Sequence, residues 1–176
     1  MFKKPEDKSM KRRMFLAAVI VLGISFAGIA QTSPEDKAID FSLKSIKGEQ
    51  VSLKSFRNKK TVMIVFWASW CGYCIEEIPE LKKLYDAVDK NKFEILAVNV
   101  QEKQQDVSAY AKKRGIKYKI LLDTDGTVSA AYKVTGIPAN IIVDKNGNII
   151  YNEHQVPHDS IQYVKKLIGQ KTKGSK

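Results

Sequence analysis

Cysteine is scarce in this chain, with two residues among 176, and histidine is equally rare. Two cysteines cannot build the disulfide framework of a small secreted scaffold, and they cannot supply a four-cysteine zinc site. They must therefore act singly or as one pair. The length fits one domain with appendages, and a hydrophobic content of 44% is enough for a core. Disorder and a multi-domain enzyme are therefore both poor first interpretations.

Acidic residues are also few, so the formal net charge is +11. A surplus of this size is typical of proteins that bind nucleic acid or membranes. Residues 31–164, however, carry 19 basic and 17 acidic side chains, and most of the surplus belongs to residues 1–30 and 165–176. Because the basic charge sits at the two ends, we expect no nucleic-acid partner.

Long apolar runs are missing except for one near the N-terminus, from Met14 to Ala30, which follows a basic stretch. This pattern indicates an export segment, either a cleavable signal peptide or a membrane anchor, with a buried core helix as the alternative. The run is long for a signal peptide and short for a spanning helix, while Gly28 and Ala30 before Gln31 favour cleavage. Either form of export places the domain outside the cytoplasm, where disulfides persist.

We divide the chain into four parts. Residues 1–30 are the signal peptide or membrane anchor, 31–37 a linker, 38–169 one globular domain, and 170–176 a Lys-rich tail. If the N-terminal segment is uncleaved, it ties the protein to the membrane, with its basic flank in the cytoplasm and the domain outside.

Within the domain, buried apolar runs alternate with helical patterns. The predicted strands are a hairpin over 39–53, single strands at 61–67, 93–100 and 119–122, and a hairpin of 140–143 with 149–151. The predicted helices are one through Leu81, Leu84 and Val88, one at 107–114, a short one at 128–133, and one at 160–168. Pro79 should kink the first helix, and Gly115 should end the second. The second hairpin turns at Asn146-Gly147, a pair that tolerates positive φ angles. In the last helix, Ile161, Val164, Leu167 and Ile168 share one face. The order predicts an α/β sandwich with a mixed sheet.

The two cysteines form a Cys-x-x-Cys motif, Cys71-Gly72-Tyr73-Cys74, between a buried strand and a helix. The first thiol then lies at the helix N-terminus, where free N–H groups and the helix dipole stabilise its thiolate. A thiolate attacks disulfides and a thiol does not. We therefore expect Cys71 to be the attacking nucleophile, and Cys74, one turn later, to resolve the mixed disulfide.

Other interpretations of the motif remain open. A structural disulfide would close a very short loop and gain little from chain entropy. A zinc or copper site would need ligands beyond the pair, and His154 and His158 lie far along the chain in a polar stretch, where we interpret them as surface residues. Covalent haem attachment would need histidine after Cys74, where the chain has Ile75. We expect no metal.

The chain resembles the thioredoxin superfamily, and within it the exported thiol–disulfide oxidoreductases of the TlpA/ResA type. The resemblance covers roughly residues 38–168. It is carried by the Trp67-Ala68-Ser69-Trp70-Cys71-Gly72-Tyr73-Cys74 block, Pro79, the leading hairpin, Leu122-Asp123-Thr124-Asp125-Gly126, and Gly136-Ile137-Pro138 running into Ile141-Ile142-Val143. It implies a thioredoxin-like fold, a mixed central sheet flanked by helices, with an N-terminal β-hairpin extension and an added central αβ element.

The resemblance also implies roles for single residues. Pro138 should be the cis-proline that faces the disulfide, leaving the backbone of Ile137 free to pair with an extended substrate, although a trans proline at the start of an edge strand is the alternative. Trp67 and Trp70 should pack around the active-site loop, with Trp67 equally acceptable as plain core. With Gly72 and Tyr73, Trp70 is a candidate substrate-binding residue.

A third catalytic candidate is Glu77, which lies three residues after Cys74 and so one turn along the helix. The resemblance implies an acid at this place that shuttles a proton to Cys74, although a solvated carboxylate is the alternative.

The family commonly has proline before the second cysteine. Here Tyr73 keeps a backbone N–H that we expect to bind a sulfur, stabilise the thiolate and make the couple less reducing. The Gly-Tyr pair also resembles that of periplasmic disulfide isomerases.

The resemblance therefore implies an exported reductase of disulfides in other extracytoplasmic proteins. It also implies apocytochrome c as a client, a membrane dithiol as electron donor, and no cofactor beyond the Cys71-Cys74 disulfide. Three alternatives stay open: an isomerase or oxidase of the cell envelope, a binding domain with a structural disulfide, and a thiol peroxidase. The last would have threonine three residues before its reactive cysteine, where this chain has Ala68.

Overall fold

The computed structural model describes residues 37–171. The expected export segment, the linker up to residue 36 and residues 172–176 of the expected tail lie outside these described residues. Between residues 37 and 171, no helix combines the length and the apolar character needed to cross a membrane.

Seven strands and four helices follow one another along the described chain. In order they are β1 (Ser42–Ser45), β2 (Gln50–Ser52), β3 (Thr61–Trp67), α1 (Gly72–Ala87), β4 (Phe93–Val100), α2 (Gln104–Arg114), β5 (Lys119–Asp123), α3 (Thr127–Ala131), β6 (Ala139–Val143), β7 (Ile149–Glu153) and α4 (Ser160–Leu167). A single turn of 3-10 helix, Leu53–Phe56, follows β2.

All seven strands form one sheet in the order β2-β1-β5-β4-β3-β6-β7. The central strands β3, β4 and β5 are parallel, whereas β6, β7 and the β1–β2 hairpin are antiparallel to their neighbours. The α2–β5 unit extends the parallel part, and the N-terminal hairpin pairs with β5 at the edge. This is the mixed, helix-flanked sheet of a thioredoxin-like fold, so the fold prediction is confirmed.

The sheet has a core on each face because every residue of β3 is buried and successive side chains point to opposite sides. Met63 and Val65 pack on the face covered by α1, α2 and α4. Ile64 and Phe66 pack on the other face, which α3 and the N-terminal hairpin cover. A strand buried on both faces reads as a continuous apolar run, which is why the sequence located β3 so well.

The structure departs from the sequence predictions in a few local places. The first hairpin is shorter than predicted because Leu53 belongs to the 3-10 turn. Pro79 lies inside helix α1, as predicted, but the helix ends at Ala87, one residue before Val88. In the second hairpin only Gly147 has a positive φ, at 84°, and Asn146 does not. Leu167 is exposed, so it is not part of the buried face of α4.

The predicted tail begins with a residue that is held to the domain. The side-chain oxygen of Gln170 accepts a hydrogen bond of 2.9 Å from the backbone N–H of Asp89, which lies just beyond the end of α1. Gly169 before it has a φ of 62°, the left-handed conformation that glycine permits at a helix end. The chain just after α4 is therefore tied to the chain just after α1.

The parallel strands give the sheet two distinct ends. The carboxyl ends of β3, β4 and β5 meet at one edge, together with the start of β6, because β6 runs antiparallel to β3. We call this the active-site end, since Cys71 follows β3 there. The opposite end, where β3 begins at Thr61 and β6 finishes at Val143, we call the basal end.

Candidate active site

Cys71 lies between β3 and α1, at the N-cap position of the helix. Its backbone is extended, and its Sγ accepts a hydrogen bond of 3.2 Å from the backbone N–H of Cys74. This is the geometry by which a side chain satisfies one of the free N–H groups at a helix start. The sulfur of Cys71 therefore sits where the helix dipole favours negative charge.

Cys71 and Cys74 are joined by a disulfide bond, with their Cα atoms 5.3 Å apart. Both residues are buried, with 6% of Cys71 and 3% of Cys74 exposed. The pair is therefore accessible only over a small area, and mainly from the side of Cys71.

Two aromatic side chains project into solvent beside the disulfide. Trp70 is 71% exposed and Tyr73 is 76% exposed. The expectation that Trp70 packs around the active-site loop is thus wrong, whereas Trp67 is buried and packs 5.9 Å from the ring of Tyr110. Gly72, between Trp70 and Tyr73 in the sequence, is also exposed, and no atom lies within 4 Å of the position that a Cβ would take. Exposed aromatic groups of this kind are typical of binding surfaces.

The Gly136-Ile137-Pro138 segment faces the disulfide. The Ile137–Pro138 peptide bond is cis, as the resemblance implied. The carbonyl oxygen of Ile137 lies 3.5 Å from Sγ of Cys71. A disulfide sulfur carries no proton, so this is a contact and not a hydrogen bond. It brings the backbone before Pro138 directly against the reactive sulfur.

The expected hydrogen bond from the Tyr73 amide to a sulfur is absent from the described residues. The donor is the N–H of Cys74 itself. Because the sulfur of Cys71 caps the helix, the amide three residues along points at it, and Tyr73 is one residue too early. A proline at position 73 would leave this donor in place, so the missing proline does not make the couple less reducing by that route.

Glu77 is half-buried and connects α1 to β6 and to the loop after β7. Its carboxylate accepts hydrogen bonds from Nδ2 of Asn140 on β6, at 3.0 Å for the shorter contact, and from the backbone N–H of Val156, at 3.0 Å. Burial raises the pKa of Glu77 above its usual value, the two hydrogen bonds oppose the rise, and the charge of Glu80 adds to it. Glu77 is therefore not a freely solvated carboxylate, and it holds its proton to a higher pH than an ordinary glutamate.

Sequence reasoning missed Glu102, which holds the active-site loop through hydrogen bonds to Ser69. Its carboxylate accepts hydrogen bonds from both the backbone N–H, at 2.7 Å, and the hydroxyl of Ser69, two residues before Cys71. It also accepts a bond of 2.6 Å from Nδ2 of the fully buried Asn99. The signal was present in the sequence, because Glu102 follows β4 and Ser69 follows β3, and the carboxyl ends of parallel strands meet at one edge.

The sequence predicts an ordinary surface position for His154, and the structure adds a specific contact. It is exposed, but its Nδ1 lies 2.9 Å from the carbonyl oxygen of Pro138. A carbonyl only accepts, so Nδ1 carries the proton in this contact. The register of the second hairpin explains the placement, since Asn140 on β6 pairs with Glu153 on β7. His158 is exposed and lies 3.4 Å from the carboxylate of Asp159.

A groove of about 940 Å³ runs beside the disulfide. Pro138, Ile137 and Tyr73 form part of its wall, and acidic side chains line it: Glu76, Glu77, Glu80 and Asp159. The groove is therefore an open, acidic channel next to Cys71. In the part of the chain that the structure describes, no cluster of three or more histidine, cysteine or acidic side chains has an arrangement suited to a metal ion.

Comparisons with known proteins agree with this geometry. The model of the AhpC/TSA family matches residues 34–152. A thiol–disulfide oxidoreductase ResA of Geobacillus kaustophilus is 32% identical over 152 residues, which is 84% of this chain and 87% of that protein. A sporulation thiol–disulfide oxidoreductase A of Bacillus subtilis is 29% identical over 147 residues, covering 80% of this chain and 88% of the relative.

Solved structures give the same picture. The thioredoxin domain of a thiol–disulfide oxidoreductase from Bacteroides vulgatus superposes with a TM-score of 0.69 at 27% identity, covering 78% of this chain and 99% of that domain. The fold, the motif and the similarity therefore all point to the same class of enzyme.

Proposed function

The chain belongs to the AhpC/TSA family and is a thiol–disulfide oxidoreductase of the ResA type, and from that premise we propose that it is exported and reduces disulfides in extracytoplasmic proteins. The basic stretch and apolar run before residue 31 support export. The domain carries a single cysteine pair, which supports a redox use of that pair.

One observation carries the proposal: Sγ of Cys71 caps helix α1 and lies against the carbonyl oxygen of Ile137. The helix N-terminus stabilises the thiolate that forms when the disulfide is reduced. The adjacent backbone of Ile137 offers an extended client chain a partner for a short β-like pairing. Reactive sulfur and docking backbone are thus next to each other.

The reaction starts from the reduced dithiol. The Cys71 thiolate attacks one sulfur of a client disulfide, the client S–S bond breaks, and the departing client sulfur takes up a proton. The Cys74 thiol then loses its proton and attacks Sγ of Cys71. The mixed disulfide breaks, the client's second thiol leaves, and two electrons have passed to the client. The enzyme is left with the Cys71–Cys74 disulfide.

Glu77 is the group we assign to the proton of Cys74. It lies one turn along α1 from Cys74, and burial raises its pKa. A carboxyl group with a raised pKa exchanges protons nearer to neutral pH than an ordinary glutamate does. The bonds from Asn140 and Val156 hold it in place for this transfer.

The electrons must come from another dithiol, since each turnover leaves the enzyme oxidised. A membrane dithiol protein is the proposed donor, and disulfide-containing proteins, apocytochrome c among them, are the proposed clients. The Cys71–Cys74 pair supplies the redox chemistry, so we propose no further cofactor.

The test is insulin reduction with dithiothreitol as the electron source, comparing Cys71→Ser with Cys74→Ser. Cys71→Ser should reduce insulin at the uncatalysed rate, because the nucleophile is gone. The reduced Cys74→Ser variant, freed of dithiothreitol before insulin is added, should form a mixed disulfide that persists, because neither a resolving thiol nor excess reductant is present to break it. Full activity in Cys71→Ser would contradict the proposed roles.

A disulfide isomerase or oxidase is the second candidate, favoured by the Gly72-Tyr73 dipeptide. The two candidates differ in reduction potential. A reductase should lie near the roughly −270 mV of thioredoxin, and an isomerase or oxidase between about −180 and −120 mV.

A further inference from the structure

A second groove, of about 610 Å³, lies at the basal end of the sheet. Thr61 at the start of β3 is part of its lining, and Asp144 follows the end of β6 beside it. We call it the basal groove and define it by five of its lining side chains, Lys59, Lys92, Lys145, Ile150 and Leu167. None of them belongs to the active site.

The basal groove is positively charged. Three exposed lysines line it, against a single acidic side chain, Asp144. The carboxylate of Asp144 accepts hydrogen bonds within the β6–β7 turn, from the backbone N–H groups of Asn146 and Asn148. The groove therefore keeps a net positive charge, which is the sign that attracts phosphate groups.

The same groove exposes apolar surface. Ile150 and Leu167 are each 38% exposed, and between residues 37 and 171 only five large hydrophobic side chains reach this level of exposure. Lysine stems lie along apolar surface while their ammonium groups reach the polar layer. Exposed aliphatic groups ringed by lysines are the composition that binds at the interface of a bilayer with anionic lipid.

The chain enters the domain at this end. Lys37 pairs with Asn148 in an antiparallel bridge, and the backbone N–H of Ala38 donates to the carbonyl of Gly147 at 2.9 Å. Six residues, 31–36, separate Ala30, the end of the apolar run, from Lys37. Even fully extended they reach at most about 25 Å. A membrane anchor would therefore hold the basal end close to the bilayer.

The C-terminal side of the domain leads to the same place. Helix α4 finishes at Leu167 in the basal groove, and Lys171 follows shortly after. The sequence beyond it adds Lys173 and Lys176. The sequence that follows α4 is therefore basic as well.

We propose that the basal groove docks on a bilayer surface rich in anionic phospholipid, with headgroup phosphates against Lys59, Lys92 and Lys145 and with Ile150 and Leu167 at the acyl boundary. Cys71 follows the other end of β3, a strand of seven residues that spans about 20 Å. Docking therefore leaves the active site about that far from the bilayer, open to extracytoplasmic clients and to the part of a membrane dithiol protein that extends from the bilayer. The inference rests on the export part of the proposed function and not on its redox part.

Lysine footprinting on the full-length chain tests the docking. The protein is incubated with vesicles of phosphatidylcholine alone or mixed equally with phosphatidylglycerol, and amine modification of each lysine is followed by mass spectrometry. Lys59, Lys92 and Lys145 should react about fivefold more slowly on the anionic vesicles. Lys103 and Lys133, exposed at the active-site end, should react equally on both. Salt near 1 M should abolish the difference, since it screens charges beyond about 3 Å.

A charge-matched pair of variants separates the groove from general attraction. K59E/K145E should remove the protection of Lys92, whereas K103E/K133E, with the same change in net charge, should keep it. Equal rates on both lipids, equal slowing at both ends, or failure of anionic vesicles to retain the chain would each overturn the docking surface. Insulin reduction measured on the same samples reports the redox proposal separately, so the two can fail independently.

Discussion

The two ends of the sheet differ in charge and in the kind of apolar group they expose. At the active-site end, acidic side chains line the groove and the exposed groups are the aromatic Trp70 and Tyr73. At the basal end, lysines line the groove and the exposed groups are the aliphatic Ile150 and Leu167. Because β3, β4 and β5 are parallel, everything that follows a strand collects at one end. One sheet can therefore carry catalysis at one end and attachment at the other.

The largest expected effect lies in the core toward the basal end. Leu84 is fully buried on α1, twelve residues beyond its first residue, so about 18 Å along the helix. Leu84→Ala should lower the free energy of unfolding by about 2–5 kcal/mol through the cavity it leaves. The reduction potential of the cysteine pair should not change. Urea denaturation and a redox titration measure the two effects.

Leu84→Met is the matched control, and it should cost less than about 1.5 kcal/mol because it nearly conserves volume. If Leu84→Ala shifted the reduction potential, the two ends would be coupled and the comparison between them would fail.

The next effect lies behind the active-site loop. Glu102→Ala removes the acceptor for Ser69 and Asn99, so buried donors lose their partner. We expect unfolding to become easier by about 2–3 kcal/mol and insulin reduction to slow, because the loop before Cys71 loses its support. Chemical denaturation and insulin turnover check this.

The control for Glu102 is Glu76→Ala, which removes an exposed carboxylate at the same end. Its stability should stay within about 0.5 kcal/mol of the parent. Equal losses in the two variants would show that the network around Ser69 does not hold the loop.

Glu77 should have a smaller effect, on how the free energy of unfolding changes with pH. Its pKa is higher in the folded protein than the ordinary value of 4.5, because burial disfavours the charged form. Its contribution to stability is therefore present below pH 4.5 and is lost as the pH rises through the folded-state pKa. Glu77→Gln cannot ionise, so its stability relative to the parent should increase between pH 4 and pH 8 in urea titrations.

Glu76→Gln is the reference for a glutamate-to-glutamine change at an exposed position of the same helix, and it leaves Glu77 in place. A Glu77→Gln variant that loses stability relative to the parent as the pH rises would mean that the folded site favours the carboxylate.

The smallest effects on stability belong to the exposed apolar groups. Tyr73→Ala and Leu167→Ser should each change the free energy of unfolding by no more than about 0.5 kcal/mol. Their functions should differ: Tyr73→Ala should raise KM for insulin, whereas Leu167→Ser should leave both kcat and KM unchanged. A rise in KM for both variants would contradict the prediction that insulin binds only at the active-site end.

The sequence predicted the framework of the fold well because its strongest signals are local. The apolar run of β3, the motif at Cys71 and Cys74, and the glycine that ends α2 each depend on neighbouring residues. Gly115 adopts the left-handed conformation that a helix end requires. Such features are visible in a short stretch of sequence.

The parts that the sequence did not predict depend on pairing between distant segments. Glu102 meets Ser69 only because β3 and β4 are adjacent and parallel, and His154 meets Pro138 only through the register of β6 and β7. Leu167 shares the periodicity of a buried face, but it is the last residue of α4 and stays 38% exposed. Periodicity identifies a face of a helix and does not show how far its partner extends.

The reduction potential of the Cys71/Cys74 couple tests the central claim, that this pair is a working dithiol and not a structural bridge. Equilibration of the full-length chain with glutathione or dithiothreitol buffers, read by thiol alkylation, gives the value directly. The account predicts a potential less negative than about −300 mV, in the range of proteins that exchange disulfides with clients. A value well below about −300 mV, typical of structural disulfides, would contradict it.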